Sequence, residues 1–192
     1  MSFIALVPGQ MVAPGLLVTI GECVSRTIGL SVRVLEPILE PPEAYDPQRR
    51  QYSSTAILRL LIELRPQEAA RLVAITEQDI FIPMLSFIFG QAQLDGRVAL
   101  VSLARLRQEF YGLPPDEEVF RERACKETLH ELGHTFGLTH CDDLGCTMSL
   151  ATSIQQVDTK SATFCPACTI LLAERLGRFG RSTARPSEEE SP

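Results

Sequence analysis

Apolar positions recur along this chain with two different periods, and the alternation between them predicts the elements. Residues 3–7 form a short unbroken apolar run closed by Pro8, as a buried strand would. Residues 31–36 alternate and are rich in Val, and residues 72–76 are another apolar run, so both predict strands. Residues 15–28 and 53–64 carry apolar side chains at helical spacing. Gly21 and several β-branched residues weaken the first as a helix, while a Ser/Thr cluster opens the second and Pro66 follows its end. Between them, residues 40–47 contain Pro41, Pro42 and Pro47 and predict a surface loop. Residues 86–89 and 98–103 predict two further strands, with Asp95-Gly96 as turn chemistry between them. Leu113-Pro114-Pro115 then stops the chain. Asp116 is a good N-cap, with Glu117 and Glu118 favourable in the first turn that follows. The helix starting there is predicted to run to about Phe136, with Cys125, Leu129, Leu132 and Phe136 as its core-facing stripe. A last helix is predicted from Phe164, with Pro166 in its first turn. Residues 181–192 are mostly Arg, Ser, Pro and Glu with few apolar neighbours and predict a disordered tail.

Strands alternating with helices imply an α/β sandwich on a mixed sheet, and the hairpin around Asp95-Gly96 predicts one antiparallel strand at an edge. The length predicts a single domain over residues 1–180, with an N-terminal part to about 137 and a C-terminal part from about 138. With 45% hydrophobic residues, the chain can bury a core unaided. A net charge of −6 without a basic patch argues against nucleic acid as a partner. The first residues are apolar but lack a positive n-region, and Pro8, Pro14 and Gly15 interrupt them, which favours a strand over a signal peptide. No apolar run is long enough to span a bilayer, so no membrane is expected and a cytoplasmic location is. Nothing in the sequence sets an oligomeric state. In a cytoplasmic chain, six Cys point to metal rather than to disulfides.

The chemistry is concentrated in one place. All three histidines, His130, His134 and His140, fall within eleven residues. His130 and His134 are one helical turn apart, so both imidazoles project from one face and can share a zinc ion at about 2.0–2.1 Å. Glu131 is too close along the helix to be a comfortable third ligand and is placed to hydrogen-bond a water on the metal, as a general base. Gly137 lets the chain leave the helix, and the turn brings His140 back as third ligand. Two chance histidines at this spacing are common in helices, but the addition of Glu131, Gly137 and His140 makes chance a poor account. Downstream, Cys141, Cys146, Cys165 and Cys168 form two pairs separated by a loop, the pattern of a closed tetrahedral zinc site with a structural role. Two disulfides or four free thiols are the alternatives. Cys23 and Cys125 lack this clustering and read as buried hydrophobes. Because His140 and Cys141 are adjacent, the Cys site is expected to brace the third histidine.

The stretch from His130 to His140 is similar to the extended zinc motif of the metzincin clan of metallopeptidases. Cys141 after the third His, then Cys146-Thr147-Met148, then Cys165 and Cys168, resembles the archaemetzincins within that clan. The likeness also takes in residues 86–90, 102–106 and 110–112, and covers about residues 1–178. It implies a metzincin-type sandwich: a twisted five-stranded sheet with one antiparallel edge strand, an active-site helix and a small C-terminal part stabilised by zinc. It further implies a zinc-dependent metallopeptidase acting on peptides or unfolded polypeptide, with two zinc ions per chain. His130, His134 and His140 would hold the catalytic zinc, Glu131 would be general base and acid, and the four Cys would hold the structural zinc. Met148 would be the methionine packed beneath the imidazoles, and the edge strand would bind extended peptide. Some clan members carry a Tyr two residues past that Met to assist the oxyanion; here the position is Leu150. Arg105, Tyr111 and Lys160 are the substitutes by chemistry. No pro-segment is expected ahead of the domain, so latency through a pro-peptide ligand is not expected. The competing expectation is a metal-dependent peptide-binding module with little turnover.

Overall fold

The computed structural model describes residues 2–182. In chain order its elements are β1 (Phe3–Pro8), α1 (Pro14–Ile28), β2 (Ser31–Val34), β3 (Tyr45–Asp46), β4 (Gln51–Ser53), α2 (Ser54–Leu64), β5 (Ala69–Thr76), β6 (Ile80–Phe81), β7 (Gly90–Ala92), β8 (Val98–Ser102), α3 (Glu117–Thr135), α4 (Ile154–Thr159) and α5 (Pro166–Ser182). Five strands form the main sheet in the order β2-β1-β5-β8-β7. All neighbours run parallel except β7, which pairs antiparallel with β8 at the edge through Gly90 opposite Val101 and Ala92 opposite Ala99.

The continuous apolar runs of β1, β5 and β8 are explained by cover on both faces. Successive side chains of a strand point to opposite sides. Accordingly, Ile4, Leu6, Val73, Ile75, Ala99 and Val101 join the core beneath α1 and α3. Phe3, Ala5, Val7, Leu72, Ala74 and Leu100 join a second core with Ile57, Leu58 and Leu61 of α2. The two layers make an α/β sandwich.

Helix α3 begins as its sequence dictates. Oδ1 of Asp116 accepts from the amides of Glu118 (3.1 Å) and Val119 (3.0 Å), satisfying two of the amides that the first turn leaves free. The predicted stripe of Cys125, Leu129, Leu132 and Phe136 is buried. So are Arg123, Lys126, Glu127 and Glu131, because α3 lies between the sheet and the C-terminal part and is covered on two sides.

Four differences from the sequence expectation have physical reasons. Residues 86–89 form no strand; the edge strand starts at Gly90, and only an isolated bridge joins Ile88 to Ile80. Phe87 and Phe89 instead pack edge to face at 5.3 Å, with Phe89 in the core. The loop at 40–47 contains a single 3-10 turn (Pro42–Ala44) and β3, which with β4 and β6 makes a second, three-stranded sheet. Helix α4 is too short for a periodic signal. The last helix starts at Pro166, not Phe164, and takes in residues 181 and 182; the rest of the expected tail lies outside the described residues. Among the described residues, no helix is long and apolar enough to cross a membrane.

Candidate active site

Helix α3 ends in a way that builds the site. Gly137 adopts φ 86°, a left-handed conformation that only glycine takes without strain. Its amide donates to the His134 carbonyl (2.9 Å) and the Leu138 amide donates to the Gly133 carbonyl (3.0 Å), which is the paired bonding of a Schellman cap. The reversal brings His140 back beside the helix. Ring centroids of His130, His134 and His140 lie 4.6, 4.9 and 5.4 Å apart pairwise.

The tautomers follow from the partners. Nδ1 of His130 is 2.8 Å from the Thr147 carbonyl, and Nδ1 of His134 is 2.8 Å from the Leu138 carbonyl. A carbonyl only accepts, so both Nδ1 atoms carry the proton and both Nε2 atoms are bare. These two bare nitrogens nevertheless face each other at 3.1 Å. Facing lone pairs repel, unless a cation sits between them. Two nitrogens on a tetrahedral zinc at about 2.0–2.1 Å would lie about 3.3 Å apart, so the spacing fits. The ligand atoms of all three histidines lie within 4.8 Å of one another. Burial pushes the His130 imidazole well below its ordinary pKa and lowers those of His134 and His140, with the Lys160 ammonium adding to each. All three are therefore held neutral, as ligation requires.

Glu131 lines the same cleft and is almost wholly buried. Burial, reinforced by the Glu127 carboxylate, raises its proton affinity well above that of an ordinary carboxylate. Its side chain rests against the backbone of Gly90. A Cβ added there would lie 2.5 Å from Glu131 Oε1, so only glycine fits. The cleft has a volume of about 380 Å³. Gly90, Gln91 and Ala92 of the edge strand line it, as do Phe87 and Leu150.

The four cysteines form a second cluster, with ligand atoms also within 4.8 Å of one another. Cys141 Sγ and Cys165 Sγ are 3.8 Å apart, too far for a disulfide and close to the separation of about 3.8 Å set by zinc–sulfur distances near 2.3 Å. Backbone amides of Cys165 (3.3 Å) and Met148 (3.4 Å) donate to Cys146 Sγ, and that of Cys168 donates to Cys165 Sγ (3.5 Å); the Cys168 amide lowers the Cys165 thiol pKa, while at Cys146 burial outweighs the two amides and pushes the thiol up. All six cysteines are free. Cys23 and Cys125 are buried away from this cluster.

The segment Cys146-Thr147-Met148 joins the two clusters. Cys146 belongs to the cysteine set, the Thr147 carbonyl holds His130, and Met148 is fully buried under Gly133. A Cβ on Gly133 would collide with the Met148 sulfur. The Cys141 amide donates to the Met148 carbonyl (3.0 Å), which ties the residue after His140 to the same segment. These bonds link the cysteine cluster to the backbone around both His130 and His140. Thr147 and Gly90 enter the sequence reading only as parts of the family likeness; their roles at His130 and Glu131 arise only when separate segments meet.

The three oxyanion candidates fare differently. Arg105 is held by Asp79 (2.8 and 2.7 Å) and stacked on Phe87 and Phe110. Tyr111 Oη donates to the Arg105 carbonyl (3.0 Å). Lys160 is buried against Glu127 (2.7 Å). None of the three lines the cleft.

Comparison with known proteins agrees with this geometry. The model of peptidase family M54 matches residues 27–174. The chain is 45% identical to the archaemetzincin of Methanocaldococcus jannaschii over 142 residues, covering 74% of this chain and 77% of the relative. The crystal structure of archaemetzincin from Methanopyrus kandleri superposes with a TM-score of 0.82 at 40% identity, covering 92% of this chain and 96% of that one. A zinc-dependent peptidase from Methanocorpusculum labreanum gives a TM-score of 0.81 at 31% identity, over 88% of this chain and 99% of that one. With the family match spanning both the histidine and the cysteine clusters, the chain belongs to peptidase family M54, with the archaemetzincins.

Proposed function

We propose that this chain hydrolyses peptide bonds as a zinc-dependent peptidase, with His130, His134 and His140 holding the catalytic zinc and Glu131 as general base and acid. The observation that carries this reading is the pair of bare Nε2 atoms facing each other at 3.1 Å beside a buried carboxylate in an open cleft. When bound, zinc at these nitrogens would act as a Lewis acid, lowering the pKa of water to about 7 and polarising the scissile carbonyl. Glu131, with its raised proton affinity, takes the proton of the attacking water and passes it to the leaving amine. The Thr147 and Leu138 carbonyls keep the two helical imidazoles in the ligating tautomer throughout. On one side β7 pairs with β8; its other edge borders the cleft, where unpaired backbone groups can bind an extended peptide by strand addition. The substrate class is therefore peptide or unfolded polypeptide.

A second zinc, with a structural role, fits Cys141, Cys146, Cys165 and Cys168, whose four positions leave no room for water. We read residues 1–180 as one domain whose C-terminal part this zinc stabilises. Six free thiols suit a reducing compartment, which supports a cytoplasmic location. The competing reading, a peptide-binding module without turnover, gains no support from a family of peptidases. Glu131→Gln tests the mechanism: the variant should keep its zinc and lose peptide cleavage by orders of magnitude. Comparable turnover in that variant would refute Glu131 as the base.

A further inference from the structure

Glu127 and Lys160 make the one ion pair among the described residues in which both side chains are almost wholly buried, at 4% and 1% exposure. The mechanism above uses neither. Glu127 lies four residues before Glu131, on the same face of α3 and about 6 Å along its axis. It lines the same cleft as Glu131 and His130, whereas Lys160 does not. Glu127 Oε1 and Lys160 Nζ are 2.7 Å apart, yet neither atom completes a directed hydrogen bond with any described residue. A buried carboxylate is ordinarily satisfied by hydrogen bonds. Oε1 is taken up by Lys160 and shut off from the cleft, but Oε2 accepts no hydrogen bond from any described residue, so acceptor capacity is left open on a residue that lines the cleft.

We propose that Glu127, with its charge offset by Lys160, forms a side-chain subsite beside Glu131 that accepts a hydrogen bond from an uncharged donor of the substrate, a carboxamide or a hydroxyl. The proposal rests on the peptidase reading in that it takes the occupant to be a peptide. The charge arithmetic sets the selectivity. A lone carboxylate would select Lys or Arg, but the Lys160 ammonium already neutralises this one. A cationic side chain would add an unmatched positive charge beside the metal ligands. An acidic one would face Glu127, and an apolar one would leave the carboxylate unsatisfied. The reach fits as well. In an extended peptide residues are spaced about 3.4 Å apart, so a side chain next to the scissile bond can span the one helical turn from Glu131 to Glu127. Holding α4 against α3 does not require this pair, since Arg123 already bonds Asp158 of α4 at 2.6 and 2.7 Å.

The test uses the zinc-loaded protein and a peptide mixture randomised at the two positions flanking one bond. Peptides retained by immobilised Glu131→Gln protein should be enriched in Asn, Gln, Ser or Thr at one flanking position, on the order of tenfold over Leu. Adding Lys160→Met should move that preference to Lys and Arg. Adding Glu127→Leu together with Lys160→Met should move it to apolar residues. Glu127→Gln keeps the shape if the larger changes impair folding, and should cut the enrichment severalfold. No enrichment at either position, or one that these changes leave untouched, would overturn the subsite. Wild-type protein that fails to cleave the peptides it retains would instead refute the peptidase reading and leave the subsite standing.

Discussion

Gly90→Ala isolates the positioning of the general base. Gly90 sits on the edge strand, far from Glu131 in sequence. A Cβ there would lie 2.5 Å from Oε1, 2.6 Å from Cγ and 2.7 Å from Cδ of Glu131. Ordinary contacts begin at 3.4 Å, so Oε1 must retreat by about 0.9 Å, the difference between 3.4 and 2.5. Glu131 is 4% exposed and has little room in which to do so. A displacement of about 1 Å in a catalytic group costs on the order of a hundredfold in rate, or about 2.7 kcal/mol in the barrier. The overpacking itself should lower stability by about 1–3 kcal/mol. The assay is steady-state cleavage of a fluorogenic peptide, with kcat and KM resolved and zinc content measured on the same samples. The expected result is kcat down about a hundredfold, KM within about threefold and zinc unchanged. In a Glu131→Gln background the extra methyl should cost little more, because no base remains to displace. Unchanged kcat in zinc-loaded Gly90→Ala would refute the reasoning. So would an additional hundredfold loss in the Glu131→Gln background.

Other consequences can be checked more simply. Cys165→Ser should lower zinc affinity at the histidines as well as at its own site, because Cys146-Thr147-Met148 spans both; full affinity at the histidine site by metal titration would contradict the bracing. Asp116→Ala removes the acceptor for two amides of α3 and should lower stability by about 1 kcal/mol, or roughly 2–4 °C in Tm by calorimetry. In the zinc-free chain, burial raises the Glu131 pKa above its unfolded value, so its favourable contribution exists at low pH and is lost as pH rises through the folded pKa. Glu131→Gln should therefore raise the Tm of the zinc-free protein at neutral pH, and a lowered Tm would contradict the raised pKa of Glu131. The three histidines act oppositely: their folded pKa values are depressed, so the zinc-free chain should lose stability as pH falls below about 6.5, where the unfolded chain takes up protons first. A Tm flat between pH 7 and 5 would oppose that.

What the sequence made legible was whatever depends on short-range spacing. His130 and His134 at one helical turn, Gly137 at the cap and the paired cysteines are patterns within a few residues, and the structure brings each set together. Asp116 was legible for the same reason, since an N-cap acts on amides two and three positions away. The edge strand was foreseen in kind but misplaced, because the apolar run at 86–89 resembles a strand while its aromatics pack irregularly. The small sheet of β3, β4 and β6 consists of pieces of two and three residues, too short to show a period. Burial of Lys160 could not be read locally either. A lysine after a short helix looks like surface, and only the docking of α4 on α3 places it against Glu127. Its role as an oxyanion group was therefore plausible from the sequence alone and is excluded by its place behind the cleft wall.

Two zinc ions are expected to occupy these two clusters, one of them on the histidines. Anomalous diffraction at the zinc edge, from crystals of the metal-replete protein, tests it most directly. Two peaks are expected: one within about 2.0–2.1 Å of a nitrogen of each of His130, His134 and His140, and one about 2.3 Å from the four cysteine sulfurs. A peak at the cysteines alone, with nothing among the histidines of a protein saturated with zinc, would contradict it.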